Sequence, residues 1–198
     1  MIRSTILSLF VFIIGGCAYI PTSSINTIDK ALSKENVLFL EDVKKNQFEA
    51  IPKGYIAKYR VTNFSGKEYI VENRFIGELD GGYLYKTYID GKEFSKKPKL
   101  LKNGRRLTNP KGKGYILENG VDNCDVFYIG ECQTKRKKIR TKSYKNGVWK
   151  FKYRSLGLTW ITIKTIYDKY GLVLYSENVN SNIASPSKNG KRITARIQ

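Results

Sequence analysis

The chain has 198 residues, with 36 lysines and arginines against 17 acids, no histidine and a formal charge of +19. Without histidine, Ser-His-Asp and Cys-His catalysis are excluded, and the two thiolates of Cys124 and Cys132 alone do not complete a four-ligand zinc site. A field of this sign favours anionic partners such as phospholipid headgroups, lipopolysaccharide, other acidic polymers or nucleic acid.

The first element in chain order is a leader. Arg3 supplies a positive charge, Ile6 to Ile14 is apolar except for Ser8, and Gly15, Gly16 and Cys17 follow. A charged start, a short apolar core and small residues are the layout of a secretory signal. The apolar run is shorter than the roughly 20 residues of a membrane-spanning helix.

Ile14-Gly15-Gly16-Cys17 resembles the lipobox of bacterial lipoproteins. The resemblance covers residues 1–17. It implies that residues 1–16 are removed and that Cys17, as the first mature residue, carries a diacylglyceryl group with palmitate-type chains. The alternative is an ordinary cleaved signal in which Cys17 is incidental. Each buried methylene of an anchor contributes about 0.8 kcal/mol, so two or more chains hold stably. Ala18 in place of Asp implies, in a host with two membranes, an outer-membrane location facing the periplasm. Export makes nucleic acid an unexpected partner. The membrane itself, anionic lipid, lipopolysaccharide or an envelope protein remain.

Residues 17–198 suffice for one domain with a core. Residues 17–36 read as a lipid-anchored tether. Within it "PTSSINTIDKALSK" has a short helical pattern at Ile25, Ile28 and Leu32, with Ser24 as a candidate cap. "NVLFLEDV" is apolar and ambiguous, and residues 37–180 form the expected β-rich domain. "YIAKYRVTNF" places Tyr55, Ala57, Tyr59 and Val61 on one face and Lys58, Arg60 and Thr62 on the other. The turns "SGK", "DGG" and "DGK" separate aromatic and β-branched runs, which indicates an antiparallel meander. Lys96 to Gly114, with Pro98, Pro110 and a dense set of bases, reads as a long loop or irregular segment. "GYILENG" contains one short strand.

Cys124 and Cys132 enclose seven residues. In an exported chain such a pair reads as a disulfide, worth roughly 2–3 kcal/mol on the chain-entropy account. The alternative is two free buried thiols.

"KIRTKSYKNGVWKFKYRS" reads as a hairpin turning at Asn146-Gly147. After the turn, Trp149, Phe151 and Tyr153 share one face, and Lys150, Lys152 and Arg154 the other. "LTWITIKTIY", "DKYG" and "LVLYSENV" give a second hairpin. This last unit resembles the C-terminal hairpin of several uncharacterised bacterial β-rich envelope proteins and carries no function over. Residues 181–198 read as a flexible tail. The expected fold is mainly β, an antiparallel meander forming a sandwich, a curved half-barrel or a barrel.

No phosphate-binding glycine loop is present. Glu78 and Asp80 flank a turn, and Asp122, Asp125 and Glu131 surround the cysteine loop, which is ordinary turn chemistry. No catalytic residue, metal or cofactor is expected. Lys135, Arg136, Lys137, Lys138, Arg140 and Lys142 form the candidate anionic-surface site, where each base near an anionic bilayer contributes about 1 kcal/mol. Lys96, Lys97, Lys99, Lys102, Arg105 and Arg106 form a looser cluster. A solvated basic face is the alternative for both. A core filled by Trp149, Phe151, Tyr153, Trp160 and Ile163 fits a non-catalytic envelope lipoprotein. A cavity behind those residues fits a carrier or chaperone holding an apolar ligand such as lipid.

Overall fold

Alternating half-buried strands joined by glycine turns give a single antiparallel sheet. A computed structural model describes residues 27–109, 114–117, 126–133, 139–154, 159–182 and 189–198. Two short helices come first, α1 (Ile28–Leu32) and α2 (Leu40–Lys44). The strands are β1 (Ile56–Thr62), β2 (Glu68–Leu79), β3 (Gly82–Ile89), β4 (Lys92–Glu93), β5 (Lys99–Lys102), β6 (Arg105–Thr108) and β7 (Ile116–Leu117). They continue as β8 (Gly130–Gln133), β9 (Ile139–Lys145), β10 (Val148–Arg154), β11 (Thr159–Tyr167), β12 (Val173–Asn182) and β13 (Gly190–Arg196). The spatial order is β7-β6-β5-β3-β2-β1-β13-β12-β11-β10-β9-β8, with β4 attached to β3. Two meanders therefore meet where β13 pairs with β1. Among the described residues β7 and β8 do not pair, so the sheet is not closed.

The sheet nevertheless curls. The β5–β6 and β11–β12 turns belong to strands six spacings apart, about 29 Å in a flat sheet. Gly104 and Gly171, one in each turn, touch backbone to backbone, and a Cβ on Gly171 would overlap the Gly104 Cα. A Cβ on Gly104 would lie 2.7 Å from the Phe127 ring. This close approach, with a φ of 65° at Gly104, requires glycine. The inner face of the curl carries Ala57, Tyr59, Val61, Phe75, Tyr85 and Leu101, packed with Leu172 from the β11–β12 turn. Beside them, Leu38, Phe127 and Trp149 form a second inner cluster.

Among the described residues one apolar cluster covers part of the outer face. Ile166, Tyr175 and Ala195 lie in one cross-strand row, and Ala31 and Val37 pack over them. Thr27 caps α1, its hydroxyl accepting from the Lys30 N–H at 3.3 Å. The chain then passes round the Asn146-Gly147 turn, and Leu40 and Val43 of the α2 segment join the inner cluster. Residues 27–36 thus belong to the folded domain, not to the tether, because Ala31 fills an apolar gap in the outer face. Ser24, the expected cap, lies outside the described residues.

Two further expectations are corrected. Lys99 to Thr108 forms the hairpin β5–β6, since Asn103 and Gly104 both take positive φ, 48° and 65°, as a two-residue hairpin turn requires. Residues 190–196 form β13, an interior strand between β1 and β12, and not a frayed tail.

β13 is fixed by a buried ion pair. Arg196 Nη2 lies 3.1 Å from Asp168 Oδ2, with the side chains 6% and 0% exposed. Arg196 also donates from Nε and Nη2 to the Val173 carbonyl at 3.1 and 2.8 Å, and from Nη1 to the Tyr55 hydroxyl at 3.1 Å. Its guanidinium stacks 5.0 Å above the Tyr59 ring centre. Asp168 Oδ1 accepts from the N–H groups of Tyr170 and Leu172 at 3.0 and 2.8 Å. Burial pushes the Asp168 carboxyl up, against the pull of Arg196 and these N–H donors.

Candidate anionic-surface interface

The alternation of a strand decides where the bases go. On β10, Trp149 is buried and Phe151 and Tyr153 are half-buried, whereas Lys150, Lys152 and Arg154 are exposed. The register extends these two sets across the sheet. Phe151 and Tyr153 face Ile163 and Ile161 of β11 on the inner face. Lys150 faces Lys164, and Arg154 faces Trp160, on the outer face.

Of the candidate cluster from Lys135 to Lys142, the described members Arg140 and Lys142 lie away from the outer face. Arg140 and Lys142 lie on β9 opposite Tyr153 and Phe151, so they share the inner, aromatic face. The Arg140 guanidinium sits 5.3 and 5.0 Å from the Phe151 and Tyr153 ring centres, and Lys142 Nζ lies 5.3 Å from Phe151. Desolvation lowers the pKa of Arg140. Lys135, Arg136, Lys137 and Lys138 lie outside the described residues. So do Cys17, Cys124, Asp122 and Asp125. Cys132 lies on β8, opposite Arg140.

The looser cluster is spread over one hairpin and the link before it, with Lys102 opposite Arg105. Lys99 and Lys102 lie on β5, Arg105 and Arg106 on β6, and Lys96 and Lys97 in the preceding link. Lys102 Nζ donates to the Asp80 carbonyl at 2.5 Å, closing the β2–β3 turn. Among the described residues no group of three His, Cys, Asp or Glu side chains is placed to hold a metal ion. Glu78, Asp80 and Glu131 therefore form no such site together. A cavity of about 210 Å³ lies between the β5–β6 turn and Tyr170, lined by Glu49, Tyr83, Leu101 and Asn103.

The structure assembles a basic surface that the sequence only half signals. On the outer face, one row runs Lys150, Lys164, Glu177, Ile193, and the next Lys152, Thr162, Val179, Lys191. The third holds Arg154, Trp160 and Ser181. Among the described residues five bases thus share these rows with one acid. Glu177 is shared, 2.6 Å from Lys191 Nζ and 3.7 Å from Lys164 Nζ. Burial disfavours its ionisation. The Lys191 hydrogen bond and the charges of Lys191 and Lys164 outweigh that and hold the carboxyl below its usual range. Lys150 and Lys164 face each other with like charge, which destabilises a cross-strand pair.

Trp160 belongs to this outer surface and not to the core. It is 37% exposed, with Lys152 Nζ 4.8 Å and the Arg154 guanidinium 5.9 Å from its ring centre. Of the five residues expected to fill the core, only Trp149 does. Phe151, Tyr153 and Ile163 lie half-buried outside the three core clusters. The register gives the reason: the rows of Phe151 and Tyr153 run through Asn178 to Arg192 and through Asn180 to Gly190, past Thr62, where the pairing of β1 with β13 ends. Comparison with protein families, with curated proteins and with solved structures gives no match to this chain.

Proposed function

We propose that this is a lipid-anchored cell-envelope protein of non-catalytic type, whose basic β-domain binds anionic envelope components or a partner protein. The observation that carries the reading is the outer face of β10–β13, where, among the described residues, five bases gather around one acid and two lysines oppose each other across strands. Such an arrangement costs stability in isolation and is relieved by an anionic partner. The anchor rests on Ile14-Gly15-Gly16-Cys17.

The intact mass of the protein purified from its membranes tests the anchor. The expected mass lacks residues 1–16, carries diacylglycerol with or without a third acyl chain, and is short by two hydrogens for a Cys124–Cys132 bond. An unlipidated mass removes the anchor. A carrier of apolar ligand is a second reading, favoured by Phe151, Tyr153, Ile161 and Ile163 on the inner face outside the core clusters. A lipid that stays bound non-covalently through gentle ionisation supports it.

A further inference from the structure

We infer that the outer face of β10 and β11 docks on an anionic phospholipid bilayer, with Trp160 as its interfacial anchor. The inference deepens the proposed function and rests on its lipid-anchor reading for the orientation of the domain. Helix α1 lies on this same outer face, over Ile166, Tyr175 and Ala195. Lys164 is two residues from Ile166 on β11, so the basic rows begin beside the helix. Cys17 is ten residues before Thr27, a reach of at most about 36 Å. An anchor joined to α1 therefore tethers the domain within reach of the face that carries Lys150, Lys152, Arg154, Lys164 and Lys191.

The chemistry of that face fits a headgroup layer. Each base near an anionic membrane surface adds attraction, and bases spaced by two residues along β10 present a flat row of cations. Tryptophan prefers the boundary between headgroups and chains, because its ring is apolar and its N–H is polar. Here the one exposed tryptophan stands among the bases, at the end of the patch away from α1. The other, Trp149, is buried and serves as an internal control.

The test uses the lipidated protein, purified from membranes and placed in vesicles whose acyl chains carry bromine, a quencher of tryptophan fluorescence. One set contains phosphatidylglycerol and phosphatidylcholine, the other phosphatidylcholine alone. Quenching is expected in the anionic vesicles, well above that in the neutral ones, and Trp160→Phe is expected to abolish it. A chain carrying Lys150→Gln, Lys152→Gln and Lys164→Gln, without its lipid, is expected to bind anionic vesicles on the order of a hundredfold less well than the unlipidated parent. If the anchored protein shows the same emission with and without bromine, the docking inference is overturned and the anchor stands. Equal quenching in both vesicle types also overturns it, since the headgroup charge then plays no part. If the purified protein carries no lipid, the anchor reading falls instead, and the comparison of unlipidated parent and triple variant decides the docking surface on its own.

Discussion

Two regions of the same outer face treat their charges in opposite ways. On β1–β3, Glu72 stands between two bases, 2.7 Å from Arg74 and 3.3 Å from Lys58, and Lys86 pairs with Glu93 at 3.0 Å. Arg74 and Lys58 hold the Glu72 carboxyl below its usual range. On β10–β13, one carboxylate serves Lys164 and Lys191, and Lys150 and Lys152 have no acid within ion-pair distance among the described residues. Both regions are pleated antiparallel sheet with the same alternation, so backbone geometry does not set the difference. Where the surface only has to be soluble and stable, opposite charges are interleaved. Where bases stand together against mutual repulsion, the proposed anionic partner would supply the relief.

The comparison requires the two regions to be one cooperative unit. They meet at β13, held by Arg196 and Asp168, and this junction gives the largest expected effect. Asp168→Ala leaves a buried guanidinium without its carboxylate and frees the N–H groups of Tyr170 and Leu172. A loss of about 3–5 kcal/mol is expected in urea unfolding. Tyrosine-dominated and tryptophan-dominated signals should shift together, because the tryptophans lie only in the β10–β11 half. Separate transitions for the two probes would show two independent units and break the comparison.

The next effect is smaller and depends on pH. Glu177 has its folded pKa lowered by Lys191 and Lys164. A lowered carboxylate contributes stability above its unfolded value of about 4.5, and that contribution is lost as pH falls through the folded value. Glu177→Gln should therefore lower stability at neutral pH and leave it nearly unchanged below the acid range, measured as the difference from the parent. Asp168, raised by burial, acts with the opposite sign in both proteins and cancels in that difference. An equal deficit at every pH would mean that Glu177 matters through packing and not through its charge.

Much of this was legible in residue order. Tyr55, Ala57, Tyr59 and Val61 alternate as a half-buried strand must, and Asn146-Gly147 marks its hairpin. Asn103-Gly104 carries the same turn signal. It was masked by Lys99, Lys102, Arg105 and Arg106, whose charges and flanking prolines resemble a solvated loop. β13 reads as polar because its neighbours β1 and β12 supply the apolar contacts, and only Ile193 and Ala195 betray a buried side. Period two alone separates Arg140 and Lys142 from an exposed cluster. By contrast, the meeting of Trp160 with Arg154 and Lys152 depends on register, which no local window contains.

The smallest expected effect is the most discriminating. Lys150 is exposed, lies opposite Lys164 and has Ser143 as its other cross-strand neighbour. Lys150→Gln removes a repulsion and no ion pair, so stability should rise by a few tenths of a kcal/mol at low ionic strength. In 1 M salt, where the screening length is about 3 Å, the gain should vanish. The same substitution should weaken binding to anionic vesicles. Opposite signs for stability and binding would identify Lys150 as a base kept for its partner. A loss of stability on substitution would instead mean that its aliphatic stem packs on the sheet, and the contrast with the paired bases of β1–β3 would reduce to local packing.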